Sequence, residues 1–174
     1  MKRGPKHMKV FQLLEKNTFM SLLLKGNIFD SFLLSQAAIH AAVNFQVDGR
    51  LHKDFYSKEE IEQKQLANLD AMPYRELRPL FFSLIRGHHT PSYFQFVLML
   101  SPANLENTIR SCGTKQPPSD IGAAFFNITY KEGQLLLTSG ISYSSFTLDK
   151  SFEKEWDSYA AKFLKKHGII FSEI

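Results

Sequence analysis

The stretch Gly122–Gly168, GAAFFNITYKEGQLLLTSGISYSSFTLDKSFEKEWDSYAAKFLKKHG, reads as two paired strands followed by an amphipathic helix. Phe126, Ile128 and Tyr130 alternate with Asn127, Thr129 and Lys131, the period-two pattern of a half-buried strand. Glu132-Gly133 supplies a two-residue turn in which glycine is free to take positive φ. That loop length sets Tyr130 opposite Leu135 and Ile128 opposite Leu137, so turn and hydrophobic pattern specify one register. Past Gly140 the apolar parity changes, from Ile141 and Tyr143 to Phe146 and Leu148. This predicts a bulge or turn near Ser144-Ser145 and then a further short strand. The helix that follows carries Phe152, Trp156, Tyr159, Ala160, Phe163 and Leu164 on one stripe. Asp149 or Ser151 can cap it, and Glu153 and Glu155 sit near its positive end. Lys162, Lys165, Lys166 and His167 sit near its negative end, which explains this basic cluster without a phosphate, and Gly168 closes the helix.

Working outward, the first such reading concerns residues 39–55. Ile39, Ala41, Val43, Phe45 and Val47 alternate with polar His40, Asn44, Gln46 and Asp48, which predicts one long strand despite the helix-forming alanines. A three-residue loop, Asp48-Gly49-Arg50, then pairs Val47 with Leu51 and Val43 with Phe55. Ser57-Lys58-Glu59-Glu60 is a capping box, opening a helix with Ile61, Gln65, Leu66 and Leu69 on its buried side. Tyr74–Arg86 predicts another helix, kinked or started by Pro79 and buried on several sides from Leu80 to Ile85. Tyr93–Leu100 reads as a central strand. Ser101 as N-cap and Pro102 at the first position open a helix with Leu105, Ile109 and Cys112 on its apolar face, closed by Gly113. A short helix is expected from Thr18 to Lys25, capped by Asn17 or Thr18. Because the strands come as hairpins, the expected fold is α+β. It has an antiparallel sheet of about five to six strands and three to four helices mainly on one face.

The 174 residues suit one domain with a real core, and sixteen phenylalanines against one tryptophan point to aromatic packing. Residues 1–7, MKRGPKH, lack apolar periodicity and are expected to be a disordered leader or, with Met8, to precede an alternative start; residues 8–174 form the single α+β domain. The net charge of +4 resides largely in that leader, since without Lys2, Arg3 and Lys6 only 18 basic residues face 17 acidic ones. A broadly basic, nucleic-acid-binding surface is therefore not expected. The single Cys112 excludes an intramolecular disulfide and fits a reducing, cytoplasmic compartment, and no apolar run approaches a membrane span.

The strings FDSFLL, VDGRLHKDFY, LRP…LIRG…TP and TLDKSFEKEWDSYAAKFL together resemble an uncharacterised domain-of-unknown-function family from anaerobic Firmicutes, over roughly Met8 to Phe171. The resemblance implies a bacterial cytoplasmic protein and no assigned activity.

No Gly-rich phosphate cradle, nucleophile elbow or zinc-binding motif is present, and no cofactor or metal is expected. His88 and His89 are adjacent in a loop, where neighbouring side chains point apart rather than converge on an ion. Cys112 falls on the buried face near a helix C-terminus, where the dipole disfavours a thiolate. The candidate site is the polar face of the first hairpin, with His40, Asn44, Gln46 and His52, beside the His88-His89 loop. Its leading reading is a non-catalytic binding or interaction module for an unknown ligand or protein partner. The alternative is a small enzyme with a pocket containing His40 or His88 and His89, and a nucleic-acid-associated protein ranks third.

Overall fold

The computed structural model describes residues 9–87 and 89–174; the expected leader, residues 1–7, and His88 lie outside the described residues. Its strands are β1 (Val10–Leu13), β2 (Phe32–His40), β3 (Asn44–Asp48), β4 (Tyr93–Leu100), β5 (Ile121–Lys131), β6 (Gln134–Tyr143) and β7 (Phe171–Glu173). All pair antiparallel in a single open sheet ordered β3-β2-β4-β5-β6-β1-β7. The helices are α1 (Lys16–Leu24), α2 (Lys58–Gln63), α3 (Tyr74–Ile85), α4 (Pro102–Ser111) and α5 (Ser151–Lys166). The class is α+β, as the hairpins imply. Among the described residues the sheet has seven strands and the fold five helices, rather than five to six and three to four.

The β5–β6 hairpin has the register its sequence specifies, with Tyr130 opposite Leu135 and Ile128 opposite Leu137. Its turn places Glu132 at φ 51° and Gly133 at φ 77°, the doubly left-handed geometry that suits the strand twist. α5 lays its apolar stripe on this hairpin. Trp156, 1% exposed, stacks on Phe126 with ring centroids 4.9 Å apart, and its indole N–H donates to the Phe125 carbonyl at 3.1 Å. Lys150 rather than Asp149 or Ser151 holds the N-cap position of α5, although the Asp149 carboxylate accepts the Ser151 N–H at 2.9 Å. No strand lies between β6 and α5. Phe146 and Leu148 sit in a turn with their side chains 80% and 86% exposed, so their parity reports no sheet face.

The first hairpin differs from its reading. Residues 39–47 are not one strand: β2 begins at Phe32, turns through Ala41-Ala42-Val43, and returns as β3, pairing Ile39 with Phe45 and His40 with Asn44. Leu51–Phe55 is not a strand either; Arg50 bridges Ala71, and Lys53–Phe55 forms a 3₁₀ turn. Gly49 therefore makes no hairpin. It threads against the bulge of β2, donating its N–H to Ser35 O at 3.0 Å, where a Cβ would lie 1.8 Å from the Leu34 carbonyl oxygen. The capping box forms as read, with Glu60 N–H donating to Ser57 Oγ and Ser57 N–H to the Glu60 carboxylate, but Gln65 at φ 56° ends the turn early. α1 starts at Lys16, ahead of the expected Asn17 or Thr18 cap.

Four helices pack on one face of the sheet. Tyr74 and Phe81 of α3 reach Phe96 of β4, and Trp156 and Phe163 of α5 reach Phe126 of β5. Phe19 and Leu23 of α1 and Leu105 and Ile109 of α4 join the same core. Tyr74 spans the layer, its hydroxyl donating to Leu23 O at 2.9 Å. α3 runs through Pro79 and buries only one side: Leu80 is 45% exposed, so the expectation of burial on several sides from Leu80 to Ile85 is corrected. β4 is internal, as expected, yet its residues alternate strictly between buried and half-buried, so only one of its faces is covered.

Candidate functional site

The other face of the sheet is covered by no helix among the described residues, and the strand registers define what it displays. Directly paired residues share a face and strands lie about 4.8 Å apart, so side chains form rows across the sheet. One row runs Asn44, His40, Tyr93, Lys131, Gln134. The next runs Gln46, Ala38, Gln95, Thr129, Leu136, Gln12, Ser172. A third runs Asp48, Gln36, Val97, Asn127, Thr138, Val10. Every residue of these rows is half-buried or exposed, and their charges are one acidic residue, Asp48, and one basic residue, Lys131. Carboxamides dominate instead, contributed by six different strands.

Several of these groups are already ordered by one another. Gln95 donates through Nε2 to Asn127 Oδ1 at 2.9 Å, Thr129 Oγ1 donates to the same oxygen at 3.4 Å, and the Tyr93 hydroxyl donates to Gln95 Oε1 at 3.4 Å. The His40 and Tyr93 rings lie 4.8 Å apart at the end of this chain. A carboxamide used once still has donor and acceptor capacity to spare, so the ladder is held in place without being exhausted.

Of the residues singled out in the sequence, His40, Asn44 and Gln46 lie on this face, although on two strands rather than along one. His52 does not: it is exposed ahead of the 3₁₀ turn, away from the hairpin. His89 is exposed in its loop, which reaches the sheet at Ser92, whose N–H donates to His40 O at 3.0 Å. Tyr93, Gln95, Asn127 and Thr129 were missed as site residues. The signal available was the alternation of Tyr93 and Gln95 with Phe94 and Phe96, but which strand lies beside which is not written in any one segment.

Elsewhere, Cys112 is half-buried rather than buried, and desolvation, with the charge of Glu155, pushes its thiol pKa up, away from nucleophilic use. Desolvation likewise raises the Asp157 carboxyl, whose partner is the buried Ser139 hydroxyl of β6. A separate cavity of about 340 Å³ opens at the opposite end of β4 from His40, and none of the five described candidate residues, His40, Asn44, Gln46, His52 and His89, lines it. Among the described residues no group of three potential metal ligands converges, and no helix is long and apolar enough to cross a membrane.

No curated protein and no solved structure matches this chain. A family model does, over residues 21–172, which spans every helix-bearing segment except the start of α1 and the whole uncovered face except the β1 positions. The chain belongs to the family of unknown function DUF5721.

Proposed function

We propose that this protein is a non-catalytic binding module that engages an uncharged, hydrogen-bonding ligand or partner across the uncovered face of its sheet. The observation that carries this reading is the ordered carboxamide ladder, Tyr93–Gln95–Asn127–Thr129, on a face with no helix over it among the described residues. Amide side chains offer directional donors and acceptors without the desolvation cost of charge, and this ladder is pre-arranged, which lowers the entropy lost on binding. The charges in its rows, Asp48 and Lys131, nearly cancel, so the face suits neither a phosphate backbone nor a strongly charged protein. The enzyme alternative is less well supported: across its row His40 faces Asn44 and Tyr93, not a carboxylate that would orient an imidazole for proton transfer. A bacterial cytoplasmic setting belongs to the same reading.

The test is a side-chain amide NMR titration with two uncharged probes, maltotriose and N-acetyl-triglycine amide. Binding by either is expected to move the Gln46, Gln95 and Asn127 side-chain resonances, with an affinity that holds between about 50 and 300 mM salt. A Gln95→Ala, Asn127→Ala double variant should abolish it. Perturbations confined to other surfaces, or affinity that collapses with salt, would refute the reading.

A further inference from the structure

The cavity at the far end of β4 has a chemistry unlike that of the uncovered face. It forms where β4 ends, β5 begins, and α4 meets the Asp70-Ala71 segment. Its volume of about 340 Å³ lies within the range of small-molecule sites, about 300–1,000 Å³. Leu33, Met99, Leu105 and Ile121 supply an apolar wall, and its ionisable lining residues are Asp70 and Glu106. Both are carboxylates. The Asp70 segment is fixed rather than loose: Leu51 N–H donates to Asp70 O at 2.9 Å and Met72 N–H to Gly49 O at 2.8 Å.

The charge balance at this mouth favours a cation. Asp70 takes part in none of the ion pairs formed among the described residues, while Glu106 pairs with Arg110 one turn further along α4. The start of α4 offers an anion little in return. Pro102 at its first position has no N–H, and the Ser101 hydroxyl already accepts the Asn104 N–H at 3.3 Å. A bound carboxylate or phosphate would therefore meet Asp70 and Glu106 with only Arg110 in compensation, whereas an ammonium group would be attracted by Asp70 and, less strongly, by Glu106.

We propose that this cavity binds a small apolar amine, its ammonium group held by Asp70 and Glu106 and its hydrocarbon body against Leu33, Met99, Leu105 and Ile121. Leu33 and Met99 share the sheet face of the carboxamide rows, but no residue of the Tyr93–Gln95–Asn127–Thr129 ladder lines the cavity, so each site can fail without the other. Both carboxylates are exposed, which limits each to about a two- to fivefold contribution, with Glu106 the smaller because Arg110 competes for it.

Three probes of matched shape separate charge from apolar burial: 4-phenylbutylamine, 4-phenylbutanol and 4-phenylbutyrate, titrated into the full chain with methyl resonances observed. The amine is expected to shift the Met99, Leu105 and Ile121 methyls and to bind about fivefold tighter than the alcohol, with the carboxylate weakest. Asp70→Asn, which keeps the side chain's shape, should bring the amine to within about twofold of the alcohol and leave the alcohol unchanged. Ala123→Leu, a substitution in the cavity wall, should weaken amine and alcohol together. Equal affinity for the three probes, shifts located away from the cavity, or no saturable shift with the wild-type chain would overturn the proposal.

Discussion

The two hairpins of this sheet turn by different means. Between β5 and β6 the loop holds two residues, Glu132 and Gly133, so even-numbered Ile128 faces odd-numbered Leu137. Between β2 and β3 it holds three, Ala41-Ala42-Val43, closed by an Ala41 N–H to Val43 O bond of 3.1 Å, so odd-numbered Ile39 faces odd-numbered Phe45. A two-residue loop reverses the parity of the buried positions and demands left-handed backbone, leaving a glycine and a phase change behind it. A three-residue loop preserves parity, and none of its residues takes positive φ. Alternation then runs straight through a turn as though the strand continued. The hairpins also differ in what covers them. β5 and β6 lie under α5, whereas Phe45 and Val47 of edge strand β3 are only half-buried.

The largest expected effect tests that difference in cover. Trp156→Ala should cost about 3–5 kcal/mol, through lost burial and the cavity left over Phe126, while Phe45→Ala should cost about 1–2 kcal/mol. Urea unfolding of both variants checks this, and equal costs would mean that the edge hairpin is as firmly packed as the central one. Next comes Gly49, which the comparison identifies as a glycine of close approach rather than of turning. Gly49→Ala is expected to cost about 3 kcal/mol, because the added Cβ would meet the Leu34 carbonyl, which is backbone and cannot rotate away. A cost under 1 kcal/mol would show that β2 can give way at its bulge.

Gly133→Ala probes the true turn glycine. Only the Lys16 ammonium nitrogen, at 3.9 Å, lies near the new methyl, so the cost is the left-handed backbone alone, about 1–2 kcal/mol in thermal or urea unfolding. Ala42→Gly in the other loop should change stability by well under 1 kcal/mol; a comparable loss there would erase the distinction between the turns. Smallest is a gain. Glu132→Asn places a residue tolerant of φ 51° at that position and should stabilise by about 0.5 kcal/mol, read as a small rise in the urea midpoint.

Those contrasts explain what could be read of the candidate site. His40, Asn44 and Gln46 were legible as one polar set because parity survives the three-residue loop, so a single misread strand and a true hairpin place them on the same face. His52 was assigned there only through a second hairpin that does not exist. Gln95, Asn127 and Thr129 carry the same alternation, yet their meeting depends on β4 lying between β2 and β5, and Gln95 and Asn127 are far apart in the chain.

The sequence by itself determined the local geometry. It encoded the Ser57 and Ser101 caps, the two-residue turn and register of β5–β6, and the stripe that seats Trp156, each decided by bonds or burial within a few residues. Tertiary structure alone decided the rest. β1 and β7 are too short to announce themselves and exist as strands because β6 offers an open edge for β1, and β1 then offers one for β7. The strand order, the close passage of Gly49 over β2, and the rows of the uncovered face arise in the same way. Backbone hydrogen bonds between distant segments form wherever packing brings complementary edges together, and one segment's residues carry no record of the partner they will meet.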